Sequence, residues 1–233
     1  MTNPPVWIWD LGTVAYTDAW NLQNAVLDHR ASGELPYDVV MLLEHPHVFT
    51  VGRRGGREHI IEPIDSHGQP VPVFDVDRGG DITYHGPGQL VVYPILGLNL
   101  FANDVLRYLR FLETVVVTAL SRLGVSATTN PPFTGVWTNG RKIASLGVAV
   151  QRGITKHGFA LNYSLDLSFF QRIIPCGLHW VTMTSIDNET GKTTLREAVV
   201  DAICESMSVG LSCPTSRMPH EWQYRALSWR STL

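Results

Sequence analysis

The sequence predicts one α/β domain, of the α+β type, in which helices flank a mixed β-sheet. Apolar runs of strand length crowd the middle of the chain, two strongly periodic helices interrupt them, and no repeat or linker-like stretch divides it. A chain of 233 residues, 44% of them apolar, can bury one sizeable core. We therefore expect one domain over residues 1–211 and a C-terminal tail, residues 212–233, whose order the sequence leaves open.

In the first half of the chain, short apolar runs alternate with turn signals. Val6–Leu11 predicts a strand, and Tyr16–Arg30 predicts an amphipathic helix that ends near Gly33. Further strands are expected at Tyr37–Leu43, Val48–Val51, Pro72–Val76 and Leu90–Leu96.

The second half begins with a long helix that Asn103 can cap and that keeps its apolar period up to Gly124. The Asn139-Gly140 pair is the clearest hairpin signal in the chain, because both residues tolerate the positive φ of a tight turn. The strands expected around it are Gly135–Thr138, Lys142–Val150 and then Ile154–Tyr163. Thr194 with Glu197 resembles a capping box at the start of a last helix.

The segment that combines the most glycine with polar side chains runs from Arg78 to Pro94, with the sequence RGGDITYHGPGQLVVYP. Glycine allows a backbone to approach a ligand closely or to adopt positive φ. We expect residues 78–89 to form a ligand-facing loop that is anchored on a sheet. The alternative is a polar turn between two strands.

Composition limits the classes of function. The net charge is −3 without a long charge run, which argues against a general nucleic-acid binder. The three cysteines, Cys176, Cys204 and Cys213, have no paired spacing, which suits reduced thiols. The first ten residues lack the pattern of a secretory signal, and no apolar run approaches the ~20 residues of a membrane helix. We expect a cytoplasmic protein that does not associate with membranes.

Two residues stand out on their own chemistry. Cys176 lies between Pro175, which fixes the chain direction, and Gly177, which leaves room beside the sulfur, so it suits an exposed nucleophile. A buried structural cysteine is the alternative, and that is the role expected for the other two cysteines. Lys142 is one of only three lysines, against fifteen arginines. Taken alone, it also fits a solvated hairpin lysine.

These residues fall in three blocks whose sequence and order resemble the octanoyltransferases of lipoate biosynthesis, the lipoyl(octanoyl) transferases. The first block is Arg78-Gly79-Gly80 followed by Thr83–Gln89. The second is Gly140–Gly147, with the sequence GRKIASLG, and the third is Ile174–Gly177, with the sequence IPCG. The resemblance implies the fold shared by the catalytic domains of biotin and lipoate protein ligases, with residues 1–211 as the catalytic domain.

The resemblance also implies the site. Cys176 would be the nucleophile and Lys142 its catalytic partner. The implied substrate-binding residues are Arg78, Gly79, Gly80, Asp81, Ile82, Thr83, Tyr84, His85, Ser145, Leu146, Gly147, Gly158, Phe159 and Ala160. We expect the apolar walls of the site to come from the Leu90 side and from the Leu146–Val148 strand.

The implied reaction moves an octanoyl group from octanoyl-acyl carrier protein to a lysine of a lipoyl domain, through a thioester on Cys176. The implied acceptors are the lipoyl domains of 2-oxoacid dehydrogenase E2 subunits and the glycine cleavage H protein. A thioester donor already carries the energy for amide formation, so no cofactor, neither ATP nor a metal, is expected. We expect the enzyme to act as a monomer and to bind no nucleic acid.

Two alternatives remain open. Residues Gly52–Arg57, GRRGGR, which we call the arginine loop, superficially resemble the adenylate loop of biotin ligases. They favour an ATP-dependent lipoate- or biotin-type protein ligase, although a solvated loop or a docking patch for an acidic partner explains them equally well. The second alternative is a non-catalytic acyl-binding protein. Loss of the cysteine or the lysine would mark it, and both are present.

Overall fold

An eight-stranded sheet forms the centre of the protein, as seen in a computed structural model that describes residues 5–174 and 180–229. From edge to edge its strands are β11 (Thr215–Arg217), β1 (Val6–Thr13), β2 (Val39–Glu44), β6 (Gln89–Ile95), β10 (Ile154–Asn162), β9 (Arg141–Gln151), β8 (Phe133–Thr138) and β7 (Thr128–Asn130). Strand β1 pairs in parallel with β2 and β11, and the remaining neighbours are antiparallel. The predicted mixed sheet is confirmed.

Helices cover both faces of this sheet. Helices α2 (Val105–Arg122) and α4 (Arg196–Leu211) pack on one face, α1 (Tyr16–Ser32) and α5 (His220–Ser228) pack on the other, and α3 (Ile186–Thr190) is a short connecting helix. Strand β2 is therefore apolar on both sides: Val40 and Leu42 face α2, whereas Met41 and Leu43 face α1. No helix in the described part of the chain is long and apolar enough to cross a membrane.

A smaller sheet corrects the expectation of an unbroken loop over residues 78–89. Its strands are β4 (Val73–Asp75), β3 (Val48–Val51) and β5 (Ile82–His85), with β3 in the middle. Ile82 and Tyr84 are buried in a cluster with Phe49 and Phe169, so this part of the segment has the period-two burial of a strand. Residues 78–81 remain irregular, and we call them the glycine loop.

Local turn chemistry predicts several boundaries well. Helix α1 ends at Gly33, which adopts the left-handed conformation with φ 84°. The hairpin between β8 and β9 turns at Asn139 and Gly140, both with positive φ, as the Asn-Gly pair predicts.

Both predicted side-chain caps are wrong. Helix α2 is capped by Asp104, whose carboxylate accepts the N–H groups of Leu106 and Arg107 at 2.7 and 3.2 Å. Asn103 instead adopts φ 57°, outside the cap conformation. The N-cap of α4 is Leu195, so Thr194 lies one residue too early, and its N–H donates to Asp187 Oδ1.

The chain beyond residue 211 packs on the main sheet as far as it is described. Strand β11 extends the sheet beside β1, and the N–H of Met218 donates to the carbonyl of Ile8 at 2.8 Å. Trp229 is buried at the end of α5 and stacks on His29 of α1 with 3.7 Å between ring centroids. Up to residue 229, the C-terminal segment therefore packs on the main sheet and on α1.

Replacing Asp104 with alanine should lower the free energy of unfolding by about 1 kcal/mol, because two N–H groups in the first turn of α2 lose their acceptor. Urea denaturation measures the loss. Asn103→Gly is the matched control, since glycine adopts positive φ without strain, and it should change stability by less than about 0.5 kcal/mol. A larger loss of stability in Asn103→Gly than in Asp104→Ala would show that Asn103, and not Asp104, is the N-cap of α2.

Candidate active site

A cavity of about 610 Å³ lies against β6, β10 and β9, within the size range of small-molecule sites, roughly 300–1,000 Å³. Ala160 lines it and pairs with Val91 of β6 on one side and with Ser145 of β9 on the other. The Leu146–Val148 strand contributes to the wall, as predicted. Leu90 itself packs in the core cluster on the α2 face of the main sheet. Its neighbour Val91 lines the cavity instead, because successive strand residues face opposite sides of a sheet.

The glycine loop forms the cover of this cavity by lying directly on β9. The N–H of Gly79 donates to the carbonyl of Val148 at 2.9 Å, and a Cβ atom on Gly147 would lie only 2.7 Å from the Gly79 oxygen. Arg78 is buried, and its Nη2 donates to the backbone oxygen and to Oγ1 of Thr50 at 2.7 and 2.8 Å. The loop is thus fixed to both sheets.

The arginine loop packs against the outside of the glycine loop. The N–H groups of Arg53 and Arg54 donate to carbonyl oxygens of the glycine loop, each at 3.0 Å. Both side chains are exposed, and Arg54 also lines the cavity. Arg57 forms an ion pair with Asp75 at 2.6 Å. The loop therefore brings positive charge to the rim of the cavity.

Lys142 lies at the start of β9, and only 3% of its surface is exposed. Its Nζ is 5.7 Å from the centroid of the Trp137 ring. Its backbone N–H donates to the Thr182 carbonyl at 2.8 Å, and its own carbonyl accepts the N–H of Thr184 at 2.9 Å. The lysine is a buried wall residue of the cavity, so the interpretation as a solvated hairpin lysine is wrong.

An irregularity in the sheet lets Lys142 and Ser145 line the same cavity. Residues three apart on a regular strand point to opposite faces. Here Trp137 pairs with Lys142, whereas the preceding residue of β8, Val136, pairs with Ala144. One extra residue of β9 lies between these pairs, which is a β-bulge, and it reverses the alternation between Lys142 and Ser145. Sequence alternation alone does not predict this.

Most of the predicted site residues line this one cavity: Arg78, Gly79, Gly80, Asp81, Ile82, Thr83, His85, Lys142, Ser145, Leu146, Gly147, Gly158, Phe159 and Ala160. Tyr84 does not line it. Its ring is fully buried and stacks on Phe169 at 4.6 Å, and its hydroxyl is hydrogen-bonded to Nδ1 of His47 at 2.6 Å. Tyr84 therefore holds the small sheet to its surroundings.

Cys176 lies outside the described residues, 5–174 and 180–229, but the residues on either side of the gap are placed. The N–H of Ile174 donates to the carbonyl of His59 at 2.9 Å. Trp180 stacks on Trp137 with 5.7 Å between centroids, and Val181 lines the cavity. Trp180 and Val181 thus lie beside the same wall as Lys142.

The other two cysteines lie away from the cavity lining. Cys204, on α4, packs against the core cluster on the α2 face, and burial raises the pKa of its thiol to about 11. Burial also raises the pKa of the Cys213 thiol above its ordinary value. Neither thiol is predisposed to ionise at neutral pH, which agrees with the structural role expected for both.

Sequence reasoning missed an ionic group that contacts the cavity-lining residue His157. Asp77 Oδ1 accepts a hydrogen bond from Nε2 of His157 at 2.7 Å, and Oδ2 pairs with Nζ of Lys156 at 2.8 Å. Burial opposes ionisation of Asp77, but these two partners outweigh it and hold the pKa of the carboxyl far below its ordinary value. The sequence contains only one indication of this group: Asp77 and His157 each directly precede a predicted site residue, Arg78 and Gly158.

Burial favours the uncharged form of two histidines at the site, His85 and His45. Burial lowers the pKa of His85 well below its ordinary value, and its Nδ1 is hydrogen-bonded to Oε1 of Gln89 at 2.7 Å. Burial lowers the pKa of His45 to about 4, and its ring joins the Val14 carbonyl to the Tyr93 hydroxyl. His85 therefore holds the segment that follows the glycine loop. In residues 5–174 and 180–229, no group of three His, Cys, Asp or Glu side chains is placed to hold a metal ion.

Comparison with known proteins gives this cavity a family context. Residues 15–208 match the family model described as lipoyl protein ligase A/B catalytic domain. An octanoyltransferase from Syntrophotalea carbinolica is 46% identical over 183 residues, which cover 78% of this chain and 83% of the relative.

Solved structures confirm the fold that the sequence predicted. Lipoate-protein ligase A bound with ATP superposes with a TM-score of 0.77 at 14% identity, covering 98% of this chain and 95% of the other. Biotin protein ligase from Aquifex aeolicus in complex with biotin and ATP gives a TM-score of 0.52 at 13% identity, over 90% of this chain and 71% of the other. The chain belongs to the family of lipoyl protein ligase A/B catalytic domains and, within it, to the octanoyltransferases.

Proposed function

We propose that this chain transfers an octanoyl group from the thioester of octanoyl-acyl carrier protein to the ε-amine of a lysine on a lipoyl domain. The observation that carries the proposal is the burial of Lys142 in the wall of a partly apolar cavity, inside a sequence block that resembles the octanoyltransferases. The acceptors implied by the family are the lipoyl domains of 2-oxoacid dehydrogenases and the glycine cleavage H protein. Each of these acceptors would present a lysine amine to the acyl group.

Cys176 is the proposed nucleophile. Its sulfur attacks the donor carbonyl, the acyl–sulfur bond to the carrier breaks, and the carrier thiol leaves with a proton. The acceptor amine then attacks the acyl-enzyme, an amide bond forms, and the Cys176 sulfur is released. Burial raises the pKa of the Cys204 and Cys213 thiols, which argues against either of them as the nucleophile and so supports this assignment.

Lys142 is the proposed proton carrier for both steps. The first step needs a thiolate, and an unperturbed thiol with a pKa near 8.5 is mostly protonated at neutral pH. The second step removes a proton from the attacking ammonium group. A lysine amine can accept and return protons, whereas an arginine guanidinium stays protonated. Position 142 therefore suits lysine in a chain that otherwise favours arginine.

The rim of the cavity suits an acidic donor protein. Acyl carrier proteins are acidic, and Arg53 and Arg54 are exposed beside the cavity that would receive the acyl chain. The arginine loop is also the main argument for an ATP-dependent ligase, because it resembles the adenylate loop of biotin ligases. Lipoate-protein ligase A, moreover, shares the fold of this chain. At 14% identity that likeness concerns the fold alone, so the two reactions are separated by experiment.

A covalent intermediate is the first expected result. The purified enzyme, incubated with octanoyl-acyl carrier protein without acceptor, should gain the mass of one octanoyl group, removable by hydroxylamine, in an intact-mass measurement. Cys176→Ser should lose the adduct. Cys204→Ser and Cys213→Ser are the matched controls and should keep it. An octanoyl adduct on the Cys176 variant would rule this nucleophile out.

Transfer should not require ATP or magnesium, because the thioester already activates the acyl group. With both omitted, octanoyl-acyl carrier protein should modify a lipoyl domain at the rate seen in their presence, as followed by the mass of the domain. If free octanoate with ATP and magnesium modifies the domain while the thioester donor does not, the protein is a ligase and the arginine loop was the better guide.

Lys142→Arg should retain part of the acyl-enzyme formation, because a positive charge still favours the thiolate. Transfer to the lipoyl domain should fall by about 100-fold or more, since proton transfer typically contributes 10²–10⁴-fold. Single-turnover mass measurements separate the two steps. Lys192 is exposed, so Lys192→Arg is the matched control and should keep the wild-type rates of both steps. If Lys142→Arg transferred the octanoyl group to the lipoyl domain at the wild-type rate, Lys142 would contribute only its positive charge and not proton exchange.

A further inference from the structure

The side chain of Lys142 lies directly against the backbone of Gly135 on the neighbouring strand β8. A Cβ atom on Gly135 would lie 2.5 Å from Cε and 3.2 Å from Nζ of the lysine. Gly135 also has φ 139°, a conformation that other residues rarely adopt. The path of β8 at this glycine therefore decides where the Lys142 amine lies in the cavity.

The strand pairing is irregular on both sides of Gly135. Towards β9, the register shifts between Val136 and Trp137, which creates the bulge at Lys142. Towards β7, Thr129 pairs with Val136 but the next residue, Asn130, pairs with Phe133, so Gly135 falls inside a second shift. A buried backbone N–H in such a place needs an acceptor from outside the ladder.

Glu113 of helix α2 supplies that acceptor. Its side chain is fully buried, and Oε1 accepts the N–H of Gly135 at 3.0 Å. Its other oxygen, Oε2, pairs with Nη1 of Arg110, one helical turn earlier, at 2.5 Å. The Arg110 side chain is 43% exposed, so it balances the buried carboxylate from the solvent side. One side chain thus joins α2 to the point where both ladders shift.

We propose that Glu113 is a positioning residue for Lys142. It fixes Gly135, Gly135 fixes the bulge, and the bulge directs the lysine amine to the cavity side of β9. The inference rests on the proposed role of Lys142 in the reaction. Glu113 does not line the cavity, so its proposed effect on the reaction passes through the lysine.

Three substitutions separate the hydrogen bond from the charge. Glu113→Gln keeps an oxygen that can accept the Gly135 N–H and loses the ion pair to Arg110. Glu113→Asp keeps the charge but is one methylene too short, and Glu113→Leu removes both. If the hydrogen-bond acceptor positions the lysine, transfer to the lipoyl domain should fall less than about threefold in Glu113→Gln and tenfold or more in Glu113→Leu. Glu113→Asp should lie between them, and KM for the lipoyl domain should change little in all three. Activity of Glu113→Asp equal to or above that of Glu113→Gln would make the charge responsible and overturn the inference.

The pH profile of thiol alkylation provides a readout that loss of stability alone does not move. In a background with Cys204→Ser and Cys213→Ser, iodoacetamide reports the remaining thiol, and Lys142→Ala should shift its alkylation profile to higher pH. Glu113→Leu should shift the profile in the same direction, and adding it to Lys142→Ala should cause no further shift. If Glu113→Leu does not fold, Glu113→Asp is measured in its place and should give a smaller shift.

Asp38 offers a matched control. Its Oδ1 pairs with Nε of Arg30 at 2.7 Å and accepts the N–H of Gly97 at 3.2 Å, the same arrangement of arginine, carboxylate and glycine N–H, outside the cavity lining. Asp38→Leu should lower thermal stability and leave the alkylation profile in place. An equal shift in Asp38→Leu and Glu113→Leu, or an additive shift of Glu113→Leu on Lys142→Ala, would overturn the positioning role. Absence of octanoyl transfer by the wild-type enzyme, with the alkylation shifts as expected, would instead overturn only the proposed reaction.

Discussion

The cavity depends on one close approach between two backbones, the contact of the glycine loop with β9. The loop can lie flat on the strand only because position 147 has no side chain, so that Gly79 reaches the Val148 carbonyl. The loop leads directly into β5 of the small sheet, and Arg78 ties it to Thr50 of β3. This contact therefore sets the distance between the two sheets and the height of the space between them. A larger residue at position 147 would lift the loop and pull the guanidinium from its acceptors.

The segment from Arg78 to Gln89 divides into a part that faces the cavity and a part that joins the sheets. Gly88 donates its N–H to the buried carboxylate of Glu44 at 3.0 Å, and the Gln89 amide donates to Asn162 Oδ1 at 2.8 Å. These bonds link β2, β6 and the end of β10 through groups that are all buried. Only part of this segment therefore reaches the cavity, and the rest, including Tyr84, serves the packing of the two sheets.

The turns and helix ends that need positive φ were predictable from the sequence, whereas features fixed by distant residues were not. Gly33 ends α1 and the Asn139-Gly140 turn forms because positive φ is a local requirement. Strand β5 escaped prediction because its burial depends on Phe169, far along the chain. The β-bulge before Ser145 was not predicted either, because it depends on how β8 pairs with β9 and not on any sequence pattern within β9. The site residues came from the family resemblance, and the fold brings the described ones, except Tyr84, to one cavity.

The two buried lysines of the chain show how the surroundings separate structure from chemistry. Lys156 is held between Asp77 and Asn24 at 2.8 and 2.7 Å, and Asp77 also binds His157. These contacts engage the Lys156 amine in an ionic group with Asp77, which suits a structural role. Lys142 lies instead on the cavity wall, against the Trp137 ring, where a bound substrate can reach its amine. Position in the fold, and not residue type, therefore makes Lys142 the candidate for proton exchange.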